Sequence, residues 1–179
     1  MIECGESLVH IRLNQRRLLL PLDRHFSLET LSALEVTEGH SNSQDRAVGY
    51  VYQPQGRHPV YQLDDQWRLL RTLDYGEGNK QAGILQMRVE GHTFGLVCFD
   101  LTILPSKDIE LLRLPQVMCT ADGLVSHVWI NKQQAVGLVF PADVYRYLIG
   151  IGAAEIDAAH QLIPSASRLT QQPSLFGGG

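Results

Sequence analysis

The residue types that most often carry catalysis or bind metals are present, but their spacing does not predict a reactive centre. None of the seven histidines forms an HxxxH or HExxH pattern, the spacing of a zinc site on a helix. The three cysteines, Cys4, Cys98 and Cys119, form no CxxC pair, and no GxSxG sequence marks a nucleophile. We therefore expect no catalytic residue, no metal site and no cofactor.

The remaining candidates for chemistry have simpler structural explanations. Cys98 lies in an apolar run and is expected to be a small buried hydrophobe. His10 and His127 lie on the polar faces of alternating segments, so we expect both on the surface. The GEGN stretch (76–79) lacks the spacing and helix of a phosphate-binding loop, and we interpret it as a flexible connection.

Composition limits the possible partners and the compartment. The chain has 179 residues, 44% of them hydrophobic, which suits one compact domain or two small subdomains that share a core. The net charge is -4, and the basic cluster of Arg12, Arg16 and Arg17 is too small for a nucleic-acid footprint. An odd number of cysteines favours a reducing compartment, and we see neither a secretory signal nor a membrane span. We expect a cytoplasmic protein without nucleic-acid binding or membrane insertion.

Three segments share one pattern: an alternating strand, a short polar or glycine-containing turn, and an apolar return strand. They cover residues 8–22, 83–100 and 125–140. Alternation is typical of a half-buried strand, and a continuous apolar run is typical of a strand buried on both faces. Because a lone hairpin is only marginally stable in water, these hairpins need a shared interior. The sequence therefore predicts a mainly β fold of two small barrels packed together.

The segments between the hairpins are less regular. Residues 28–35 are either a short helix capped by Ser27 or an irregular strand, and the periodicity does not separate the two. Residues 67–73 follow two aspartates and are expected to form a short helix. The loop near 76–82 is the expected subdomain boundary. A C-terminal helix is expected from Pro141. For residues 151–179 we expect a further helix and then a flexible tail.

The order of these pieces resembles the CheW-like domain of bacterial chemosensory arrays. The resemblance covers about residues 7–148 and depends on the order of several short motifs rather than on any one of them. They are the hairpin SLVHIRLNQRRLLLPLD, the element HPVYQL (the family writes PV-x-DL), the hairpin ILQMRVEGHTFGLVCFD, the segment LTILPSKDIELLRLP and the helix start FPADVYRYL.

The resemblance implies two intertwined, five-stranded, SH3-like barrels over residues 7–150, with short helices and no catalytic activity. It implies an adaptor that couples a histidine kinase to chemoreceptors or similar partners, through barrel surfaces and the groove between the barrels. The chain departs from the family where the family writes N-L-R-G, since Pro54 and Gln55 stand near the expected Arg and Gly. Gln62 replaces the Asp of PV-x-DL, and Asp100 comes one place late. Because of these departures, the sequence does not identify the partner that is coupled. An adaptor that serves pili, gliding or protein placement is an alternative to one that serves flagellar chemotaxis.

Exposed aromatic and arginine side chains are the candidates for contact with a partner. Five residues are chosen on this basis, and four surround the family's coupling element: Tyr50, Tyr52, Arg57, Tyr61 and Trp129. Tyr50 and Tyr52 share one strand face, which is either core or interface. Tyr61 is alternatively packed against Trp67, and Trp129 under the C-terminal helix.

The tail carries a different signal. Gln172, Leu175 and Phe176 stand in QPSLF, which resembles the short peptides by which bacterial proteins bind the replication sliding clamp. This pattern predicts an accessory protein of DNA replication or repair as the alternative function. Two chance apolar residues in a flexible tail explain the same sequence.

Overall fold

The computed structural model describes residues 6–36, 46–75, 82–115 and 124–150, and its regular elements are mainly strands. A helix, α1, covers residues 141–150, and 3-10 turns cover Leu31–Ala33 and Ser106–Asp108. The prediction of a mainly β fold is confirmed. The strands are β1 (Ser7–Leu13), β2 (Arg16–Pro21), β3 (Ser27–Thr30), β4 (Leu34–Val36), β5 (Gly49–Gln53), β6 (Gly56–Tyr61), β7 (Gly83–Val89), β8 (His92–Pro105), β9 (Leu111–Arg113), β10 (His127–Asn131) and β11 (Gln134–Leu138).

The strands form two sets of the same design. Barrel 1 has the order β8–β1–β2–β11–β10–β9, using the second half of β8. Barrel 2 has the order β3–β7–β8–β6–β5–β4, using the first half of β8. No ladder of the described strands closes either set. Instead, the two end strands of each set are consecutive in the chain and are joined through a 3-10 turn. Counted as one bent strand, they give five strands per barrel, as the SH3-like interpretation predicts.

The two barrels exchange hairpins, which makes them intertwined. Hairpin β1–β2 belongs to barrel 1, but the bent strand that follows it in sequence belongs to barrel 2. The chain returns to barrel 1 along β8, which pairs with β7 up to Cys98 and with β1 from Phe99 onward. The predicted boundary near 76–82 stays a prediction, because residues 76–81 lie outside the described residues.

An internal repeat accounts for the recurring hairpin pattern. LVHIRL in β1 and ILQMRV in β7 occupy equivalent places, since His10 pairs with Leu19 as Gln86 pairs with Gly95. The return strands are equivalent too, because β2 pairs in parallel with β11 as β8 pairs in parallel with β6. The third hairpin, β10–β11, has a different counterpart, which is β5–β6.

Three apolar clusters hold this arrangement together. Leu8, Leu19 and Leu138 lie inside barrel 1, and a corresponding set that includes Ile84 and Phe99 lies inside barrel 2. The third and largest cluster lies between the barrels and extends to α1. Strands β1 and β2 face an interior on one side and the inter-barrel cluster on the other, which explains the continuous leucine run 18–20. Each fully buried leucine stabilises the fold by roughly 2 kcal/mol relative to an exposed one.

The predicted helix over 67–73 is wrong. The side chain of Asp64 accepts hydrogen bonds from the backbone N–H groups of Gln66 and Arg68, at 2.8 and 2.9 Å. Trp67 then adopts a φ of +65°, which a right-handed helix excludes. Local side-chain bonds of aspartate compete with helix formation in this way. At residues 28–35 the irregular-strand alternative is realised, as β3, a 3-10 turn and β4.

The prediction of a surface position for His10 is also wrong. Its side chain is buried and its ring lies edge-on to Trp129, with 6.3 Å between the centroids. The polar face of β1 points into barrel 1 rather than into solvent. His127 is half-buried, with its Nδ1 2.9 Å from the hydroxyl of Ser126. Cys98 is buried as predicted, and burial raises the pKa of its thiol to about 12.

The helix expected after the third hairpin is confirmed and begins at Pro141, where a missing N–H costs no helical bond. Val144 and Leu148 of α1 pack into the inter-barrel cluster. The other predictions for the C-terminal part, a second helix and a flexible tail at 151–179, lie outside the described residues. Cys4 and Cys119 lie outside them as well.

Candidate protein-binding surfaces

Three of the predicted contact residues come together on the outer face of the β5–β6 hairpin. Val51 points into barrel 2, so its neighbours Tyr50 and Tyr52 point outward. Arg57 lies directly opposite Tyr52 in the ladder, and its guanidinium carbon is 3.3 Å from the centroid of the Tyr50 ring. Tyr50 is only 8% exposed, whereas Tyr52 is 58% exposed. This Tyr–Arg patch, formed by Tyr50, Tyr52 and Arg57, presents one open aromatic ring beside a guanidinium stacked on a second.

The hairpin that carries the Tyr–Arg patch is fixed by its turn and by a close strand approach. Pro54 and Gln55 form a two-residue turn, and Gly56 follows at a φ of +135°, a conformation that favours glycine. A Cβ at Gly49 would lie 2.5 Å from the carbonyl oxygen of Glu35, so β4 and β5 pack there only because position 49 is glycine. The residues that depart from the family's N-L-R-G element therefore form the hairpin tip, and Arg57 stands just beyond it.

Tyr61 and Trp129 are not part of this patch. Tyr61 packs, partly buried, against the inter-barrel cluster, to which Trp67 also contributes. Trp129 packs, partly buried, against the interior of barrel 1, whereas the packed residues of α1 belong to the inter-barrel cluster. Neither ring is presented openly to solvent in the way that Tyr52 is.

A second surface is an apolar groove; the family resemblance implies binding at a groove between the barrels, but the sequence did not indicate the residues that line this one. It has a volume of about 300 Å³ and lies where β8 leaves barrel 2 for barrel 1. Leu28 forms an exposed rim, Cys98 lies at the buried base, and Leu101 lies on the barrel 1 side. The lining residues are Leu28, Glu29, Thr30, Ala82, Gly83, Cys98 and Leu101. Because these residues are far apart in sequence, only the pairing of β3, β7 and β8 brings them together.

An ion pair lies at the crossover beside this groove. Two residues of β8, Asp100 and Leu101, stand opposite the single residue Ile11, which makes a β-bulge with Asp100 at a φ of +49°. The Nε of Arg12 donates to Oδ2 of Asp100 at 2.6 Å, and its Nη1 donates to the carbonyl of Asn14 at 2.6 Å. The guanidinium also lies over Phe99, 5.3 Å from the ring centroid. Asp100, which comes one place later than the acidic residue of the family's motif, thus lies at the bulge where the two barrels join.

The described residues offer little for chemistry beyond binding. Within them no three His, Cys, Asp or Glu side chains are grouped so that they could hold a metal ion. The raised pKa keeps the Cys98 thiol protonated at neutral pH, which lowers its reactivity. In the same part of the chain, no helix has the length and apolar character that a membrane span requires.

Comparison with known proteins supports the fold alone. No family model matches the sequence, and no curated protein matches it. Among solved structures, the chain is similar to the scaffolding protein TtCheW from Thermoanaerobacter tengcongensis, with a TM-score of 0.52 and 15% sequence identity. The similarity covers 75% of this chain and 88% of that one. The chain has a CheW-like fold. The sequence resemblance is thereby supported at the level of architecture.

Proposed function

We propose that this protein is a non-enzymatic adaptor in a bacterial chemosensory-type pathway. It would act in the cytoplasm and couple a histidine kinase regulatory domain to a chemoreceptor or a similar partner. The observation that carries the proposal is the CheW-like arrangement of two intertwined barrels, with the Tyr–Arg patch on the outside of one of them. Exposed tyrosine and arginine side chains on a rigid hairpin are the residue types that dominate protein–protein hot spots.

The Tyr–Arg patch suits a protein partner because its geometry is fixed before binding. The guanidinium of Arg57 is stacked on Tyr50, and such a pair loses little side-chain freedom when a partner covers it. Tyr52 adds a large amphipathic ring at low entropic cost. The apolar groove at Leu28 supplies a second contact of different character, suited to a side chain or helix face that buries apolar surface.

The proposal is tested by affinity capture from native cells, followed by binding measurements with the partner that is recovered. We expect Tyr52→Ala to weaken binding about tenfold or more, the cost of removing a hot-spot aromatic. Tyr75→Ala is the matched control, because Tyr75 is about as exposed as Tyr52 and is not part of the β5–β6 hairpin. For Arg57→Ala the control is Arg88→Ala on β7. Capture that repeatedly recovers neither a kinase nor a receptor-like protein would overturn the adaptor function.

The alternative from the sequence concerns Gln172, Leu175 and Phe176. These residues lie outside the described residues, and docking on the replication sliding clamp stays a prediction from the tail peptide. Recovery of the clamp in the same capture experiment would support it.

A further inference from the structure

The outer face of β9, β10 and β11 is apolar where an antiparallel sheet usually presents polar side chains. Leu111 and Trp129 pack against the interior of barrel 1, so the residues next to them in sequence point outward. Leu112 pairs with Val128, and Ile130 pairs with Ala135. We call these four residues the aliphatic stripe. Leu112 is 48% exposed and Ile130 is 52% exposed.

The internal repeat shows that this surface differs from its own counterpart. Register for register, the aliphatic stripe of barrel 1 corresponds to a polar and aromatic surface on barrel 2. The corresponding pairs are Leu112 and Glu35, Val128 and Tyr50, Ile130 and Tyr52, and Ala135 and Arg57. The same structural position thus carries charge and aromatic rings on one barrel and only aliphatic carbon on the other, so folding alone does not require the aliphatic choice.

The charge distribution indicates what covers the stripe. The whole chain has a net charge of -4, so two copies repel weakly at long range. Among the described residues of these three strands, the charged one is Arg113; it is exposed at the end of β9, but alternation places it on the face of Leu111 rather than on the face of the stripe. When such a surface faces itself across a two-fold axis, no charge meets a like charge and no charge is desolvated. On barrel 2 the corresponding positions carry Glu35 and Arg57, so a symmetric contact there would desolvate charged side chains.

We propose that the aliphatic stripe is a self-association surface that pairs two copies of this chain through barrel 1. The stripe is small compared with a standard interface, so the dimer is weak and reversible. Pairing through barrel 1 leaves the Tyr–Arg patch of barrel 2 open on both copies. The inference does not depend on the proposed adaptor function, because it concerns only the purified chain.

Sedimentation equilibrium of the full chain, at concentrations up to about 1 mM, tests the dimer. We expect a concentration-dependent monomer–dimer equilibrium whose dissociation constant rises at least about tenfold in Ile130→Lys and in Leu112→Lys, since each places two like charges in the interface. Ile103→Lys is the matched control, because Ile103 is 57% exposed on β8, outside the stripe, and should leave the constant unchanged.

A cysteine experiment guards against variants that fold poorly. With Cys4 and Cys119 replaced by serine, Ile130→Cys should form an intermolecular disulfide on mild oxidation, and Ile103→Cys should not. A chain that stays monomeric over the whole concentration range overturns the proposal. If Ile103→Lys weakens the dimer as much as the stripe variants do, the dimer does not use this face. Cross-linking of Ile103→Cys as readily as of Ile130→Cys would lead to the same conclusion.

Discussion

At the scale of single residues, the internal repeat places a titratable group in one barrel and a neutral one in the other. His10 and Gln86 are equivalent, and both are buried. Oε1 of Gln86 accepts a hydrogen bond from Gln53 at 2.8 Å, whereas Nε2 of His10, like Nε2 of Gln86, has no hydrogen-bond partner among the described residues. Burial, and then the charge of Arg17, lower the pKa of His10, and only Asp100 opposes this. Barrel 1 therefore disfavours the charged form of the residue at this position.

The expected consequence is a loss of stability in mild acid, to which Gln86, the equivalent residue of barrel 2, does not contribute. The pKa of His10 is lower in the folded chain than the ordinary 6.5, so the unfolded chain binds the proton more readily. The stabilisation is complete above pH 6.5 and is lost as the pH falls below it, by at most about 1.4 kcal/mol per pH unit. Urea unfolding at several pH values measures this slope. His10→Gln, which copies the residue of barrel 2, should flatten the slope, and the exposed His92→Gln serves as the control.

At the scale of elements, β8 matters most because one strand serves both barrels. Its change of partner requires the bulge at Asp100, and a left-handed backbone is tolerated by aspartate and asparagine far better than by β-branched residues. The ion pair with Arg12 is partly exposed, with side-chain exposures of 18% and 49%, and contributes little by itself. The backbone conformation and the ion pair are therefore separable by substitution.

Two substitutions at Asp100 distinguish these contributions. Asp100→Asn keeps a residue that accepts the left-handed conformation and removes the charge, so we expect a loss of less than about 1 kcal/mol. Asp100→Val removes both, and should cost about 1–2 kcal/mol more than the asparagine variant. Chemical denaturation gives both values. Equal losses of unfolding free energy in the two variants would mean that the left-handed backbone at position 100 does not limit which residues the bulge accepts.

How far the sequence predicts these elements depends on whether the deciding interactions are local. The three hairpins and α1 follow from periodicity and from Pro141, which act within a few residues. The failure at 67–73 comes from Asp64, whose side chain closes a turn with the backbone of Arg68 instead of starting a helix. The surface position predicted for His10 is wrong because alternation shows that the two faces of a strand differ, but does not show whether both faces are buried. The residues that line the apolar groove at Leu28 could not be predicted, since strand pairing alone brings them together.

At the scale of the whole molecule, the two barrels should behave as one folding unit. The hairpins β1–β2 and β7–β8 are separated in sequence from the bent strands with which they pair, β8 crosses between the sets, and the inter-barrel cluster is the largest of the three. An independent barrel would need an interior and a set of strands that it does not share. We therefore expect a single cooperative unfolding transition, although the shape of each barrel resembles a small domain.

Truncations inside each barrel test this cooperativity. Leu19→Ala in barrel 1 and Ile84→Ala in barrel 2 should each cost about 2–5 kcal/mol and should each lower the midpoint of the same transition. Fluorescence of Trp129, measured in a Trp67→Phe background, follows barrel 1, while far-ultraviolet circular dichroism follows all strands. The two signals should coincide in wild type and in both variants. If Ile84→Ala split the dichroism transition while Trp129 kept its wild-type midpoint, the barrels would be separate folding units, and the exchange of hairpins would not couple them.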